Sequence, residues 1–200
     1  MPRRDRLRAT VRLPLAMLLA LATAPATAQT EPTAWLRELM DRLAAIPERS
    51  ATFHEEKHFS ILAFPLTSQG RLAYRRPAHF EKITDFPLPE SLVVDGNRLT
   101  LVAGNEAPHS FVLASQPEIA ALVDAVRGAL AGNLALLERH YRIEARGGPA
   151  AWRLTLLPVA PELQRLLHDI AIEGAGTDIR SIRLIQADGD WQMMTIAPAP

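Results

Sequence analysis

The sequence predicts an α+β domain in which a first helix precedes about eleven short strands that are interrupted by one helical insert. Three observations carry this. Apolar residues recur at helical spacing over 33–46 and again over 115–133; elsewhere they alternate with period two; and an Asp-Gly pair marks the turn at two of the junctions between alternating runs. The richest stretch, from Phe53 to Leu101, offers no nucleophile, metal cage or phosphate loop. Alternating apolar residues punctuated by turns suit a curved sheet that holds an apolar ligand, which points to carrying rather than catalysis.

Residues 1–28 read as a secretory signal. Arg3, Arg4, Arg6, Arg8 and Arg12 precede an apolar core, and Ala26-Thr27-Ala28 provides the small residues of a cleavage site. The apolar run is shorter than the about 20 residues a spanning helix needs. Cleavage after Ala28 is expected to yield a soluble periplasmic monomer formed by residues 29–200, long enough for one domain with a sizeable core. Leu36, Leu39, Leu43 and Ile46 then mark an amphipathic helix with Trp35 beside them and Pro47 at its end.

After Pro47 the period becomes two. Leu72 and Tyr74, Phe80 and Lys82, Leu92 and Val94, Leu99 and Leu101, and Phe111 and Leu113 fall on successive strands, with a hairpin at Asp95-Gly96. Ser115-Gln116-Pro117-Glu118 spells a capping box with proline in the first turn; Ile119, Leu122, Val123, Val126 and Leu130 follow, and Gly132-Asn133 closes the helix. Residues 134–140 add a short helical piece. Strands resume at Tyr141 and Ile143, Trp152 to Leu156, Ile170 and Ile172, Ile179 to Leu184, and Trp191 to Ile196, with a second hairpin turn at Asp188-Gly189. Residues 161–168 form a short helix or a wide turn.

Composition excludes several functions. The signal takes five of the 22 basic residues and one of the 22 acidic ones, leaving 17 against 21, a net charge of about −4. Phosphate binding requires clustered positive charge, so a nucleic-acid partner is not expected. With no cysteine there is neither a disulfide nor a site for amino-terminal lipidation, and the fold must rest on its core.

His54-Glu55-Glu56-Lys57-His58 spells H-E-x-x-H. On a helix it would bind zinc through both imidazoles, with Glu55 as general base; on a strand the histidines lie about 13 Å apart, too far to share one metal. A zinc hydrolase is kept as the alternative function, although no third ligand is evident. No metal or other cofactor is expected, and no catalytic residue is assigned. Gly174-Ala175-Gly176 lacks the strand-loop-helix setting of a nucleotide site.

Phe53-x-Glu55, Ser68-x-Gly70-x-Leu72-x-Tyr74-Arg75-Arg76-Pro77, Leu92-Val93-Val94-Asp95-Gly96 with Leu99, and Trp152-x-Leu154-x-Leu156-x-Pro158 together resemble the outer-membrane lipoprotein carrier family of the LolA type. The resemblance implies an incomplete antiparallel β-barrel whose helices form a lid over an apolar cavity for acyl chains. It also implies a lipid or lipoprotein cargo, an inner-membrane exporter as donor and an outer-membrane acceptor. Arg76 stands where the family has the arginine that latches the lid, and Arg75 should face solvent. The chain departs from the family at His79-Phe80-Glu81-Lys82, in its long helical insert, and in the apolar segment 61–66, features of a divergent branch for which another lipid or a lipid-like pigment precursor is the alternative cargo.

On that fold the cavity lining is assigned to Phe53, Leu72, Tyr74, Phe80, Leu92, Val94, Leu99, Leu101, Leu122, Val126, Leu154 and Leu156. Alternation alone does not separate cavity wall from packed core, which also holds for Trp35, Trp152 and Trp191. Leu62 and Phe64 are candidates for membrane or partner contact, the opposing reading being that 61–66 folds inward. A third function is a structural or sensor module on the same scaffold.

Overall fold

The computed structural model describes residues 34–199, so the predicted signal and its cleavage site lie outside the described residues. Helix α1 (Ala34–Ala44) leads into strands β1 (Glu48–His58), β2 (Leu66–Arg75), β3 (His79–Phe86), β4 (Glu90–Asp95), β5 (Arg98–Ala103) and β6 (His109–Val112). Helices α2 (Pro117–Leu130) and α3 (Leu134–Glu138) follow. The chain then completes β7 (Tyr141–Gly148), β8 (Ala151–Pro158), the short α4 (Pro161–Gln164), β9 (Leu167–Ala175), β10 (Asp178–Gln186) and β11 (Trp191–Pro198). The eleven strands form one open antiparallel sheet in the order β6-β5-β4-β3-β2-β1-β11-β10-β9-β8-β7, an incomplete barrel. Instead of a strand pair, the segment α2–α3 connects the two edge strands.

Register follows the pleat. Across β2, β1 and β11 the partners of Phe53 are Gly70 and Ile196, and those of Glu55 are Ser68 and Met194. Directly opposed residues share a face, so these rows define the inner side of the sheet. Gly70 is required there: a Cβ would lie 1.9 Å from the carbonyl oxygen of Ile83. The β4–β5 hairpin closes through Gly96 at φ 56 and Asn97, with Asp95 paired to Arg98. Among the described residues only glycines have positive φ, so this turn has a single left-handed position, its first.

Two details differ from the sequence reading. Leu113 does not continue β6: its N–H donates to the carbonyl of Asn97, Ala114 N–H donates to Asn97 Oδ1, and the chain curls into one 3-10 turn. Ser115 does not cap α2. Its hydroxyl donates to the Val112 carbonyl, Gln116 is the cap residue without a side-chain bond, and Pro117 opens the helix, where its missing N–H costs nothing.

The core is two-centred, and α2 joins its parts. Leu36, Leu39, Met40 and Leu43 of α1 bury one face in a cluster that also holds Trp152, Leu154, Leu156, Ile170 and Ile172 of β8 and β9. Ala121, Ala125 and Ala129 of α2 enter this cluster, while its Ile119 and Val123 pack on the second centre, Val94, Leu99 and Leu113. The helix is apolar on both stripes because each meets a different wall. It ends in a Schellman arrangement: Asn133 N–H donates to Gly128 O at 2.8 Å and Gly132 N–H to Ala129 O at 3.3 Å, with Gly132 at φ 61.

Candidate functional site

A cavity of about 710 Å³ lies between α2 and the inner face of β1, β2, β3, β9, β10 and β11. A third stripe of α2, made by Leu122, Val126 and Leu130, forms one wall. Leu72, Phe80, Ile182, Leu184, Met194 and Ile196 form much of the opposite one. These strand residues arrive together through the pleat: Leu72 opposes Ala51, Phe80 opposes Tyr74, and Ile182 opposes Met194.

Of the residues assigned to the lining, Leu72, Tyr74, Phe80, Leu122 and Val126 border this space. Leu154 and Leu156 do not: they are fully buried in the larger core cluster, together with the apolar face of α1. Val94 and Leu99, with Leu92 and Leu101 against them, form the second packing centre under α2. Phe53 does not border the cavity either: it is buried on the inner face with the Lys82 ammonium 4.9 Å from its ring centre.

The polar groups sit at two ends of the cavity. Glu55 is only 2 % exposed, and its Oε2 accepts from Lys82 Nζ at 2.7 Å and from Ser68 Oγ at 3.1 Å, with Lys57 Nζ at 3.5 Å. Burial alone raises the pKa of Glu55, but the charge and hydrogen bond of Lys82, helped by Lys57 and Ser68, outweigh it and hold the carboxyl below its ordinary value. At the other end are Arg49, Tyr74, Asp178 and Arg180. Arg49 and Glu55 are six residues apart on one strand, about 20 Å. Burial raises the pKa of the Tyr74 phenol, opposed by the charges of Arg76, Arg49 and Arg127.

Strand geometry also disposes of the zinc arrangement. The H-E-x-x-H residues lie on β1, so His54 and His58 face outward with Glu56 while Glu55 points inward. His58 stacks on Trp191 with ring centres 3.8 Å apart. Among the described residues no group of three or more His, Asp or Glu side chains is placed to hold a metal ion. Gly174, part of the glycine pair considered above, makes room for the Trp152 indole, whose Nε1 donates to Gly176 O at 2.9 Å.

Arg76 Nη1 donates to the Ala44 carbonyl at the end of α1, and its backbone N–H to Pro47 O at 2.9 Å. A cation at a helix C-terminus also complements the helix dipole. Arg75 is exposed, as expected from the pleat. Arg76→Leu should release the last turn of α1, lowering stability by no more than about 1.5 kcal/mol because the bond is exposed. Hydrogen exchange should quicken at Leu43 to Ala45. Unchanged protection there would remove Arg76 from holding the helix.

The buried cluster of Glu55 and Lys82 was not foreseen from the sequence, although a signal for it was there: Phe80 and Lys82 share a face, and an internal ammonium needs a carboxylate. Arg49 gave no such sign. In the family comparison, residues 25–200 match the model described as outer membrane lipoprotein carrier protein LolA-like. The chain belongs to the LolA-like family. Its members are non-enzymatic binding or carrier proteins, and the fold is that of a lipid- or lipoprotein-binding module. Comparison with characterised sequences gives no significant match.

Solved structures similar to this LolA-like chain share little sequence with it. A LolA superfamily protein from Nitrosomonas europaea is 6 % identical with a TM-score of 0.41, covering 82 % of this chain and 92 % of its own. The MucA/MucB complex of Pseudomonas aeruginosa gives 15 % identity and a TM-score of 0.43, over 82 % of this chain and 58 % of that one. A DUF1329 family protein from Desulfovibrio piger gives 11 % and 0.33, over 81 % and 88 %.

Proposed function

We propose that this LolA-like protein is a periplasmic carrier, exported through residues 1–28, that holds acyl chains of a lipoprotein or another lipid in its cavity. It takes the cargo from an inner-membrane exporter and delivers it to an outer-membrane acceptor. The observation that carries this reading is the third apolar stripe of α2: Leu122, Val126 and Leu130 line the cavity, although Leu122 and Leu130 also reach the main core and the other two stripes are packed. At about 0.8 kcal/mol per buried methylene an acyl chain would be held tightly there, so release needs the helix wall to close over the emptied space. The test is extraction of protein recovered from the periplasm, followed by mass spectrometry. An acyl-bearing lipid near one per protein is the expected result; lipid-free protein that also takes none from vesicles overturns the carrier and leaves a structural or sensor module.

Delivery needs a surface that meets a membrane or a partner, and we assign it to the β1–β2 connection. Ile61 is 89 % exposed and Phe64 82 %, with Leu62 and Leu66 about half exposed. The neighbouring end of β3 and its connection to β4 add exposed Phe86 and Leu88 at the same end of the sheet. Exposed apolar clusters of this kind mark contacts. Leu62→Ser with Phe64→Ser should therefore change folding stability by less than about 1 kcal/mol and impair transfer to acceptor vesicles. A stability loss of several kcal/mol would mean that the segment is packed in solution.

A further inference from the structure

We infer that the cavity selects amphiphiles with an anionic oxygen headgroup, carboxylate or phosphate, and seats that headgroup on Arg49 and Tyr74. The inference rests on the acyl-binding reading and adds the class of ligand. Arg49 of β1 and Tyr74 of β2 are direct cross-strand partners and both line the cavity. Arg49 Nη1 donates to the Thr177 carbonyl at 2.7 Å, which fixes the guanidinium across to the β9–β10 turn. Its Nε and Nη2 are buried with no hydrogen-bond partner among the described residues, and so is the Tyr74 hydroxyl.

Nε and Nη2 form one edge of the planar group, a two-pronged donor matched to two oxygens of one carboxylate or phosphate. A buried donor without a partner is costly, so three at one end of an otherwise apolar space make a prepared anion seat. The surrounding charge has the same sense. Arg76 and Arg127 both act on the Tyr74 hydroxyl, and Arg180 lines the same end. Asp178 opposes Arg49 yet leaves Nε and Nη2 unbonded, and Asp124 is engaged by Arg127 and His140. The far end offers no competing seat, because Lys82 and Lys57 already serve Glu55.

The test titrates delipidated protein at pH 8 with palmitate, hexadecyl phosphate and methyl palmitate, reading displacement of a fluorescent acyl probe. At least one of the anions should bind tenfold or more tighter than the ester, the size expected of charge-assisted bonds. Whichever anion binds tighter identifies the headgroup. Arg49→Gln should erase most of that preference and leave methyl palmitate within twofold, while Arg49→Lys keeps part of it and Tyr74→Phe loses a smaller factor. Methyl palmitate binding reports that each variant is folded; if Arg49→Gln does not fold, the wild-type ratio and Tyr74→Phe decide. Equal affinity for acid, phosphate and ester, or an unchanged ratio in Arg49→Gln, overturns the anion seat and leaves the carrier standing. Failure of all three to bind overturns both.

Discussion

Lys82→Met is expected to lower folding stability at pH 7 by about 3 kcal/mol, the lower end for removing one partner of a buried ion pair. Glu55 would remain inside with only Lys57 at 3.5 Å and the Ser68 hydroxyl, and Phe53 would lose the cation beside its ring. The double variant Glu55→Leu with Lys82→Met should recover most of the loss, since an apolar pair avoids desolvating two charges. Urea unfolding measures all three proteins. An additive double variant would show that the two side chains do not act as a pair.

The same pair fixes a pH dependence. In the folded protein the Glu55 carboxyl is held below its ordinary value, so its contribution is full above the unfolded pKa of about 4.3 and is lost as pH falls through the folded value. In Lys82→Met burial meets weaker opposition and moves the carboxyl up, so protonation relieves that variant earlier. The stability gap between wild type and variant should therefore narrow from pH 7 towards pH 4. A constant gap over that range would place the origin of the loss elsewhere.

Gly132→Ala should cost about 3 kcal/mol, combining roughly 1–2 for a left-handed alanine with an overpacking term of similar size. The steric part is specific. A Cβ at Gly132 would lie 1.9 Å from the Met40 carbonyl oxygen and 2.6 Å from Ala44 N, so α1 crosses directly against the end of α2. Gly96→Ala is the control: φ is 56 there too, but nothing lies within 4 Å of the added Cβ. It should lose only the conformational part, about 1 kcal/mol. Equal losses in the two variants would mean that α1 yields freely at the crossing, contrary to its packing.

Much of this architecture was legible in the sequence because both periods were clean. Leu36, Leu39 and Leu43 announced α1, and the alternation through Tyr74, Val94 and Leu99 announced strands, since each side chain had one wall to meet. The exposed segment around Phe64 was visible as apolar residues where turn chemistry was expected. The division of apolar positions between cavity and core was not legible. Leu154 and Leu72 alternate alike, and only the packing separates them: Leu154 joins the main core cluster, whereas Leu72 borders the cavity opposite α2. Arg49 was hidden for a different reason: β1 carries few apolar residues, so its inward row emerges only from pairing with Tyr74, Leu72 and Gly70.

The strand order has a consequence for how the chain reaches this state. Strands β1 to β6 pair only with sequence neighbours, as do β7 to β11, so each half of the sheet is a meander closed by local loops. One ladder departs from this: β1 against β11, where Phe53 meets Ile196. That ladder pays the largest loop-closure entropy, which favours late formation. We expect substitutions along this seam, such as Ile196→Val, to speed unfolding more than they slow folding, whereas substitutions within either meander should act more on the folding rate. The cavity spans that seam, so its walls would come together only in the last step of folding.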